Sequence, residues 1–237
     1  STLFPYTTLF RSRTGDAPDD DPYLWLEEIG GKSPLAWVEE QNARTMARFA
    51  TAQFAADRDA LAAIFDRPDN IPYIGRRGGL VYNFWRDADH PRGIWRRTTM
   101  DIFRTETPFW DVLLDLDALA AAEGEDWVWG GATTLLPAHD RAMIRLSRGG
   151  SDACVIREFG LSRKAFIEDG FHLPEAKGHV EWLDVNTLLL SSAFGGEAAR
   201  TRSGYARTVR LWRRNSDPAE APVLFEVPEE NLAAGRF

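Results

Sequence analysis

The sequence has 237 residues, of which 44% are hydrophobic and 27% are charged, and its formal net charge at pH 7 is -8. These proportions are typical of a globular protein with one or two domains. The negative charge opposes a general affinity for nucleic acid, so binding to nucleic acid is not expected. No apolar run reaches the length of a membrane span, so association with a membrane is not expected either. The single cysteine, Cys154, excludes an intrachain disulfide and any multi-cysteine metal site.

The first twelve residues differ in character from the rest of the chain. Residues 2–12, TLFPYTTLFRS, resemble the translation of a common sequencing adapter. A secretory signal would need an uninterrupted apolar run after a basic start, whereas Pro5 lies within the run and Arg11 follows it. A β-strand is the other alternative, because Thr, Phe, Tyr and Leu suit one. We expect residues 1–12 to be an adapter-derived scar. In that case the position of either terminus would be set by the length of a sequencing read.

A helical segment is predicted after the motif DPYLWLEE at residues 21–28. Ser33 can cap a helix, and Pro34 suits the first helical position, where its missing N–H costs nothing. Apolar residues then recur near helical spacing until Arg67 and Pro68 end the pattern. This pattern predicts one amphipathic helix or a pair of helices.

From Leu80 onward, the sequence predicts short β-strands separated by Gly, Asp and Pro. In RAMIRLS, for example, Ala142, Ile144 and Leu146 would face one side of the strand, and Arg141 and Arg145 the other. Such a series of antiparallel strands is typical of a sandwich, a barrel or a propeller. The predicted strand runs are LVYNFWRD, GIWRRTT, WDVLLDL, RAMIRLS, ACVIREF, AFIEDGF, TLLLSS, TVRLWRR and VLFEV, with one helical insert, LDALAAAEG.

A loose internal repeat favours the propeller among these three folds. The segments EDWVWGGATTLLPAHDRAMIRLSRGG and HVEWLDVNTLLLSSAFGG share an acidic residue with Trp, a polar turn, an apolar strand and a double glycine. Their tryptophans, Trp127 and Trp182, lie 55 residues apart, close to the period of about 40 to 50 residues of four-stranded blades. The expected fold is therefore mainly β, a partial propeller of roughly two to three blades preceded by a helical segment.

These motifs together resemble the N-terminal part of the prolyl oligopeptidase family of serine peptidases. The family begins with a DPYRWLED-like motif and a WV-x-x-QN helix, which here read DPYLWLEE and AWVEEQNART. GGLVYNFWRDADHPRGIWRRTTMDIF and WDVLLDLDAL resemble its first blade, and LPAHDRAMIRLSRGGSDACVIREFGL resembles its second. Residues 147–152 resemble the S-x-G-S-D turn of the family, with an extra glycine. The resemblance covers about residues 21–231.

The resemblance implies a two-domain enzyme in which a propeller is seated over an α/β-hydrolase domain. Residues 13–68 would be the helical part of that split hydrolase domain, and residues 69–237 the N-terminal part of the propeller. The hydrolase would use Ser as nucleophile, His as proton shuttle and Asp as its orienter, and the propeller would admit only short peptides. The expected partners are short peptides and a C-terminal hydrolase domain missing from this chain. No cofactor is expected, and the expected compartment is the cytoplasm, with the periplasm also permitted.

No residue of this chain is predicted to be catalytic, cofactor-binding or metal-binding. The G-x-S-x-G elbow that presents a nucleophilic serine is absent, and Ser151 lies between a double glycine and Asp152 in a strand-turn-strand context. Cys154 lies in an apolar stretch and is expected to be buried and inert. The acidic residues 19–21 lack the Gly and terminal Glu of a calcium loop. Four histidines in turn-like settings without ligand spacing are expected to be solvated loop residues: His90, His139, His172 and His179.

Two further residue groups admit more than one interpretation. Aromatic side chains that could line a peptide or sugar site are better explained by packing between blades: Trp85, Trp95, Trp110, Trp127 and Trp129. Acidic residues that could make a carbohydrate-active propeller cluster beside a predicted surface helix: Asp115, Asp117, Glu123, Glu125 and Asp126. The main alternative function is a non-catalytic propeller that binds peptides or a partner protein. Only the peptidase resemblance predicts a helical segment before the strands.

Overall fold

The computed structural model describes most of the chain, namely residues 22–28, 30–67 and 69–234. The adapter-like segment, residues 1–12, lies outside the described residues, as do Asp21 of the first motif and Pro68 at the predicted helix end. By their internal contacts the residues divide into two compact units, residues 1–63 and 64–237.

The first unit is helical, and its described part holds a short 3-10 helix (Leu24–Glu27), α1 (Lys32–Phe49) and most of α2 (Ala52–Phe65). Of the two predicted arrangements, the helix pair is therefore correct. The predicted cap at Ser33 is wrong, because α1 begins at Lys32, two residues before the predicted first helical residue Pro34. The carbonyl of Gly31 already accepts from the N–H of Leu35 at 3.1 Å. Pro34 is tolerated within the first turn, since the first four N–H groups of a helix lack an intrahelical partner.

The helices of this unit leave most of their apolar side chains exposed. In α1 only Pro34 is buried, and α2 has no buried residue among those described. Neither of these helices, nor any other among the described residues, is both long and apolar enough to cross a bilayer. The exposed apolar residues of the unit include Leu35, Val38, Met46, Phe49, Phe54 and Leu61.

The second unit consists of antiparallel strands in two sheets. The first sheet has the order β1-β2-β3-β4, and the second has the order β12-β11-β10-β9-β7-β6-β5 with β8 paired to β7. The strands are β1 (Ile74–Arg77), β2 (Leu80–Trp85), β3 (Ile94–Thr99), β4 (Asp111–Asp115), β5 (Trp127–Thr134), β6 (Arg141–Arg148), β7 (Ala153–Gly160), β8 (Ala165–Phe166), β9 (His172–Asp184), β10 (Thr187–Ser192), β11 (Thr208–Arg213) and β12 (Val223–Glu226). Two α-helices interrupt them, α3 (Met100–Phe103) and α4 (Leu116–Glu123).

Strand β9 belongs to two successive four-stranded meanders. Residues 172–177 pair with β7, whereas residues 178–184 pair with β10. The described residues therefore contain three four-stranded meanders, which run from β1 to β4, from β5 to the first half of β9, and from the second half of β9 to β12. Such a series of four-stranded units is the arrangement of consecutive propeller blades. The fold is mainly β, as predicted, and is a partial propeller preceded by a helical segment.

Two aromatic clusters hold neighbouring meanders together. Between the first and second, the ring of Trp95 in β3 lies 5.5 Å from that of Trp129 in β5 and 6.1 Å from that of Phe159 in β7. Between the second and third, the ring of Phe171 lies 4.9 Å from that of Trp212 in β11. These rings bury large apolar areas and prefer such offset or edge contacts. Packing of sheet against sheet is thus the main contact between blades.

One carboxylate is fully buried near the contact of the second and third meanders. The side chain of Glu158 in β7 has 0% exposure and accepts hydrogen bonds from Arg141 at 2.8 Å and Arg214 at 2.7 Å. The backbone N–H of Phe171 also donates to this carboxylate, at 2.9 Å. Because a buried charge is stable only when it is paired and hydrogen-bonded, this cluster ties β6 and β7 to the turn that follows β11.

Candidate functional site in the Arg145 pocket

Two glycines in β5 make room for the side chain of Arg145 in the neighbouring strand β6. A Cβ atom at Gly130 would lie 3.0 Å from the carbonyl oxygen of Arg145, and one at Gly131 would lie 3.0 Å from its Nη2. Gly131 also has φ of +115°, and the pairing of β5 with β6 shifts register there. Both features are typical of a glycine β-bulge. The Arg145 side chain therefore occupies space that side chains of β5 would otherwise fill.

The guanidinium of Arg145 is held in place by both β5 and β9. Its Nη2 donates to the carbonyl of Gly130 at 2.6 Å, and its Nη1 lies 3.0 Å from Nδ1 of His179. Nε2 of His179 lies 2.8 Å from Oε1 of Glu181. Because arginine can only donate, Nδ1 of His179 accepts and its Nε2 carries the proton that is donated to Glu181. The Glu181–His179–Arg145 chain thus links the second meander to the first strand of the third.

Arg145 lines an open cavity of about 610 Å³. The polar residues that line it come from β6, the turn after it, β9, β10 and the loop before β11. We call this cavity the Arg145 pocket, and define it by Arg145, Asp152, Lys177, His179, Ser191 and Tyr205.

The charges of the Arg145 pocket are unevenly paired. Nζ of Lys177 lies 3.6 Å from Oδ2 of Asp152, and the hydroxyl of Tyr205 donates to the same carboxylate at 2.9 Å. Arg145, in contrast, has no carboxylate within 4.0 Å among the described residues. Among the side chains that define the pocket, Arg145 and Lys177 are cationic and Asp152 is anionic. The pocket is therefore locally cationic in an acidic chain.

A second cavity, of about 690 Å³, lies beside the first meander. The guanidinium of Arg96 lies 4.6 Å from the ring of Trp85 and 4.5 Å from that of Trp110, and its Nε donates to Asn83 at 2.8 Å. Burial lowers the pKa of Arg96 to about 10, against an opposing effect of Asp87. Arg96 therefore stays charged at neutral pH and is already stacked between two indoles, so this cluster has a structural explanation.

The predicted role of the tryptophans in packing is correct for those of the core. Trp95 and Trp127 are each 3% exposed, and Trp129 packs against the same cluster. Trp85 and Trp110 differ, because they hold Arg96 and line the second cavity.

The prediction of solvated loop histidines is wrong for two of the four. His172 and His179 both lie in β9, which extends through a stretch whose Pro and Gly residues suggested turns. His90 contacts Asp87 in the turn after β2, and His139 lies in the turn after β5 with φ of 53°. Among the described residues, no group of three His, Cys, Asp or Glu side chains could hold a metal ion.

Ser151 and Cys154 have no activating partner in the described part of the chain. Ser151 is exposed in the turn after β6, and its hydroxyl donates to the carbonyl of Ala153 at 3.1 Å. Cys154 is partly buried, and burial raises the pKa of its thiol. A thiol with a raised pKa is a poor nucleophile at neutral pH.

The five acidic residues around α4 have structural roles. Asp115 caps α4 by accepting from the N–H of Ala118 at 3.0 Å, and Glu123 accepts from the indole of Trp127 at 2.8 Å. Asp117, Glu125 and Asp126 are bonded to backbone or arginine donors in the same way. None of the five lines either cavity described above. Nothing in this arrangement supports a sugar-cleaving pair of carboxylates.

Comparison with known proteins gives the family of the chain. Residues 8–236 match the family described as "Prolyl oligopeptidase, N-terminal beta-propeller domain". The chain belongs to this family. An uncharacterized peptidase of Sinorhizobium fredii is 36% identical over 91% of this chain, which corresponds to 30% of that protein. The match begins at residue 8, inside the adapter-like segment, whose origin stays a prediction.

Solved structures of related enzymes have the same fold. The structure of a post-proline cleaving enzyme from Rickettsia typhi is 32% identical, with a TM-score of 0.79 over 87% of this chain and 31% of that one. Oligopeptidase B from Leishmania major, at 19% identity, matches with a TM-score of 0.66 over 87% of this chain and 28% of that one.

The chain spans about 30% of the length of these relatives, and the part matched is the N-terminal propeller portion. The catalytic domain is not among the 237 residues, which contain no G-x-S-x-G pentapeptide. The resemblance to prolyl oligopeptidases indicated by DPYLWLEE and the strands after it is confirmed.

Proposed function

We propose that this chain is the propeller portion of a serine-type oligopeptidase. In this proposal the propeller controls the access of short peptides to a hydrolase domain that carries the Ser, Asp and His residues. The observation that carries the proposal is the 32% identity to the Rickettsia typhi post-proline cleaving enzyme at a TM-score of 0.79. The helical unit before the first meander supports it further, since a propeller that only binds has no need of such a unit.

The proposed mechanism divides the work between the two domains. The hydrolase serine attacks the peptide carbonyl, the histidine moves the proton, and the aspartate orients the histidine. The propeller excludes folded proteins by their size and keeps the reaction chamber poor in water. Residues 13–68 complete the hydrolase domain, whose body covers exposed apolar residues such as Leu35 and Phe54.

The decisive experiment uses the full-length protein, with the reading frame downstream of residue 237. We expect it to hydrolyse a fluorogenic proline-containing peptide, and we expect a serine-reactive fluorophosphonate to abolish the activity. Substitution of the serine of its G-x-S-x-G motif by Ala is the matched control and should remove both turnover and labelling. The 237 residues alone should not be labelled. A full-length protein with neither turnover nor labelling, or a reading frame of further blades without a hydrolase, would favour the non-catalytic propeller instead.

A further inference from the structure

We infer that the Arg145 pocket binds a carboxylate of the peptide substrate. The carboxylate is either the C-terminal one or that of an acidic side chain. This inference rests on the proposed function for the identity of the ligand, and on the geometry of the pocket for its chemistry.

The Arg145 guanidinium is positioned before any ligand arrives. Of its five N–H donors, one on Nη2 is bonded to Gly130 and one on Nη1 to His179. The other three have no partner among the described residues. A guanidinium binds a carboxylate through two parallel hydrogen bonds, and one that is already immobilised loses little side-chain entropy on binding. Arg145 therefore has both the free donors and the rigidity of a carboxylate-binding residue.

The charge of the pocket also favours an anion. Asp152 is engaged by Lys177 and Tyr205, while Glu181 contacts the far nitrogen of His179. Neither carboxylate contacts Arg145 directly. A carboxylate ligand would supply the missing negative charge, and the cavity of about 610 Å³ has the size typical of small-ligand sites.

The pocket lies beside the contact between the first strands of the second and third meanders, because Arg145 bonds to Gly130 in β5 and to His179 in β9. The indole of Trp182 in β9 donates to the carbonyl of Thr133 in β5 at 2.9 Å, so the first strands of adjacent meanders are in direct contact. When blades are arranged radially, the edges that converge are those nearest the central channel. Arg145, held between β5 and β9, is thus placed on the route of a peptide that enters through the propeller.

The test compares two proline-containing peptides of one sequence, both blocked at the N-terminus. One has a free C-terminal carboxylate and the other has a C-terminal amide. A third peptide, amidated but carrying one Asp, distinguishes a side-chain carboxylate from the terminal one. In the full-length enzyme we expect kcat/KM to be about tenfold higher for a carboxylate peptide than for its neutral counterpart, as one charge-assisted pair would give. Arg145→Met should reduce this preference to near unity.

Two further variants keep the test sound. Arg104→Met replaces an exposed arginine with no carboxylate partner among the described residues, and it should leave the preference unchanged. Lys177→Met removes the other cation of the pocket without disturbing the bonds between Arg145 and β5, and it should reduce the preference severalfold even if Arg145→Met fails to fold. Equal turnover of the acid and amide peptides by the unaltered enzyme would overturn the inference, as would a preference that neither pocket variant changes.

Calorimetric titration separates this inference from the proposed function. The protein with its elbow serine replaced by Ala is titrated with the acid peptide, the amide peptide and inorganic phosphate. Stronger binding of the acid peptide that depends on Arg145 supports the inference even if the full-length protein proves inactive, in which case only the proposed function fails. Peptidase activity with no difference in binding between acid and amide rejects the inference alone, and binding of phosphate without that difference rejects it too.

Discussion

At the residue scale, Glu158 is the side chain whose charge the fold depends on most. It has no exposed surface, whereas its partners Arg141 and Arg214 are 32% and 19% exposed. Loss of one member of a buried ion pair costs about 3 to 5 kcal/mol, and partial hydration of the arginines reduces that cost. We therefore predict that Glu158→Gln lowers the free energy of unfolding by about 2 to 3 kcal/mol. Urea denaturation of the full-length protein followed by tryptophan fluorescence measures it.

The matched control for this substitution is Glu168→Gln. Glu168 is exposed in the loop after β8, and surface substitutions usually change stability by about 0.5 kcal/mol or less. If both variants unfold at the same urea concentration, the buried charge of Glu158 contributes nothing net to stability.

The same residue predicts how stability depends on pH. Burial raises the pKa of Glu158, but hydrogen bonds from Arg214, Arg141 and the N–H of Phe171 outweigh it and hold the pKa below its ordinary value of 4.5. A carboxyl group whose pKa is lowered by folding contributes stability that is present above its unfolded-state pKa and is lost as the pH falls through the folded-state value. The stability gap between the unaltered protein and Glu158→Gln should therefore be full at pH 7 and narrow below about pH 4. Urea titrations at pH 7, 5 and 3.5 measure the gap, and a gap that does not change with pH would contradict this prediction.

At the element scale, Gly178 marks the position where β9 passes from one meander to the next. A Cβ atom there would lie 2.7 Å from the carbonyl oxygen of Ser191 and 2.9 Å from the Cα of Ser192, both backbone atoms of β10. Because backbone cannot move aside like a flexible side chain, we predict that Gly178→Ala costs about 2 kcal/mol of stability. The thermal midpoint of the full-length protein, recorded by calorimetry, checks it.

Gly160→Ala in β7 is the control for that prediction. Its Cβ atom would meet nothing closer than 3.8 Å, so the substitution should leave the thermal midpoint nearly unchanged. If both substitutions lower the thermal midpoint equally, the close approach of Gly178 to the backbone of β10 is not the cause of the loss.

Most strands could be predicted from the sequence, but the first strand of each meander could not. Runs such as LVYNFWRD and TVRLWRR correspond to β2 and β11, and LDALAAAEG corresponds to α4. The strand runs predicted from the sequence do not include β1, β5 and β9. The first of these is short and charged, and the other two contain glycine or proline, which normally weaken a strand. Their pairing is stabilised by neighbouring strands and by tertiary contacts, which local propensity does not report.

The candidate site escaped prediction for a related reason. The alternation in RAMIRLS correctly places Arg145 on the side opposite Ala142, Ile144 and Leu146. Met143 lies on the same side as Arg145 and is buried in another core cluster. Its partner His179, however, is 34 residues further along the chain, and no short motif connects the two. The double glycine at residues 130–131 was the only local signal, since glycine in a strand often marks a bulge or a close approach.

At the scale of the whole molecule, the described chain exposes surfaces that invite association. All four residues of the edge strand β12 are exposed, including Leu224 at 57% and Phe225 at 54%, and the apolar faces of α1 and α2 are exposed as well. Unpaired strand edges and large apolar patches recruit other chains. We predict that the 237 residues expressed alone form oligomers or aggregates, as measured by size-exclusion chromatography with light scattering.

The full-length protein is the control and should elute as a single species of defined mass. A monodisperse monomer of the 237 residues with a sharp thermal transition would refute the prediction.

The shared strand β9 also affects which boundary between neighbouring blades can open. Its backbone runs without interruption from the pairing with β7 to the pairing with β10, so these two blades share one continuous strand. The boundary between β4 and β5 is crossed instead by α4, whose Leu116 and Ala120 are buried in the core cluster between the first and second meanders. Of the two boundaries between blades in the described residues, the one between the first and second meanders would therefore open more readily, because no shared strand crosses it.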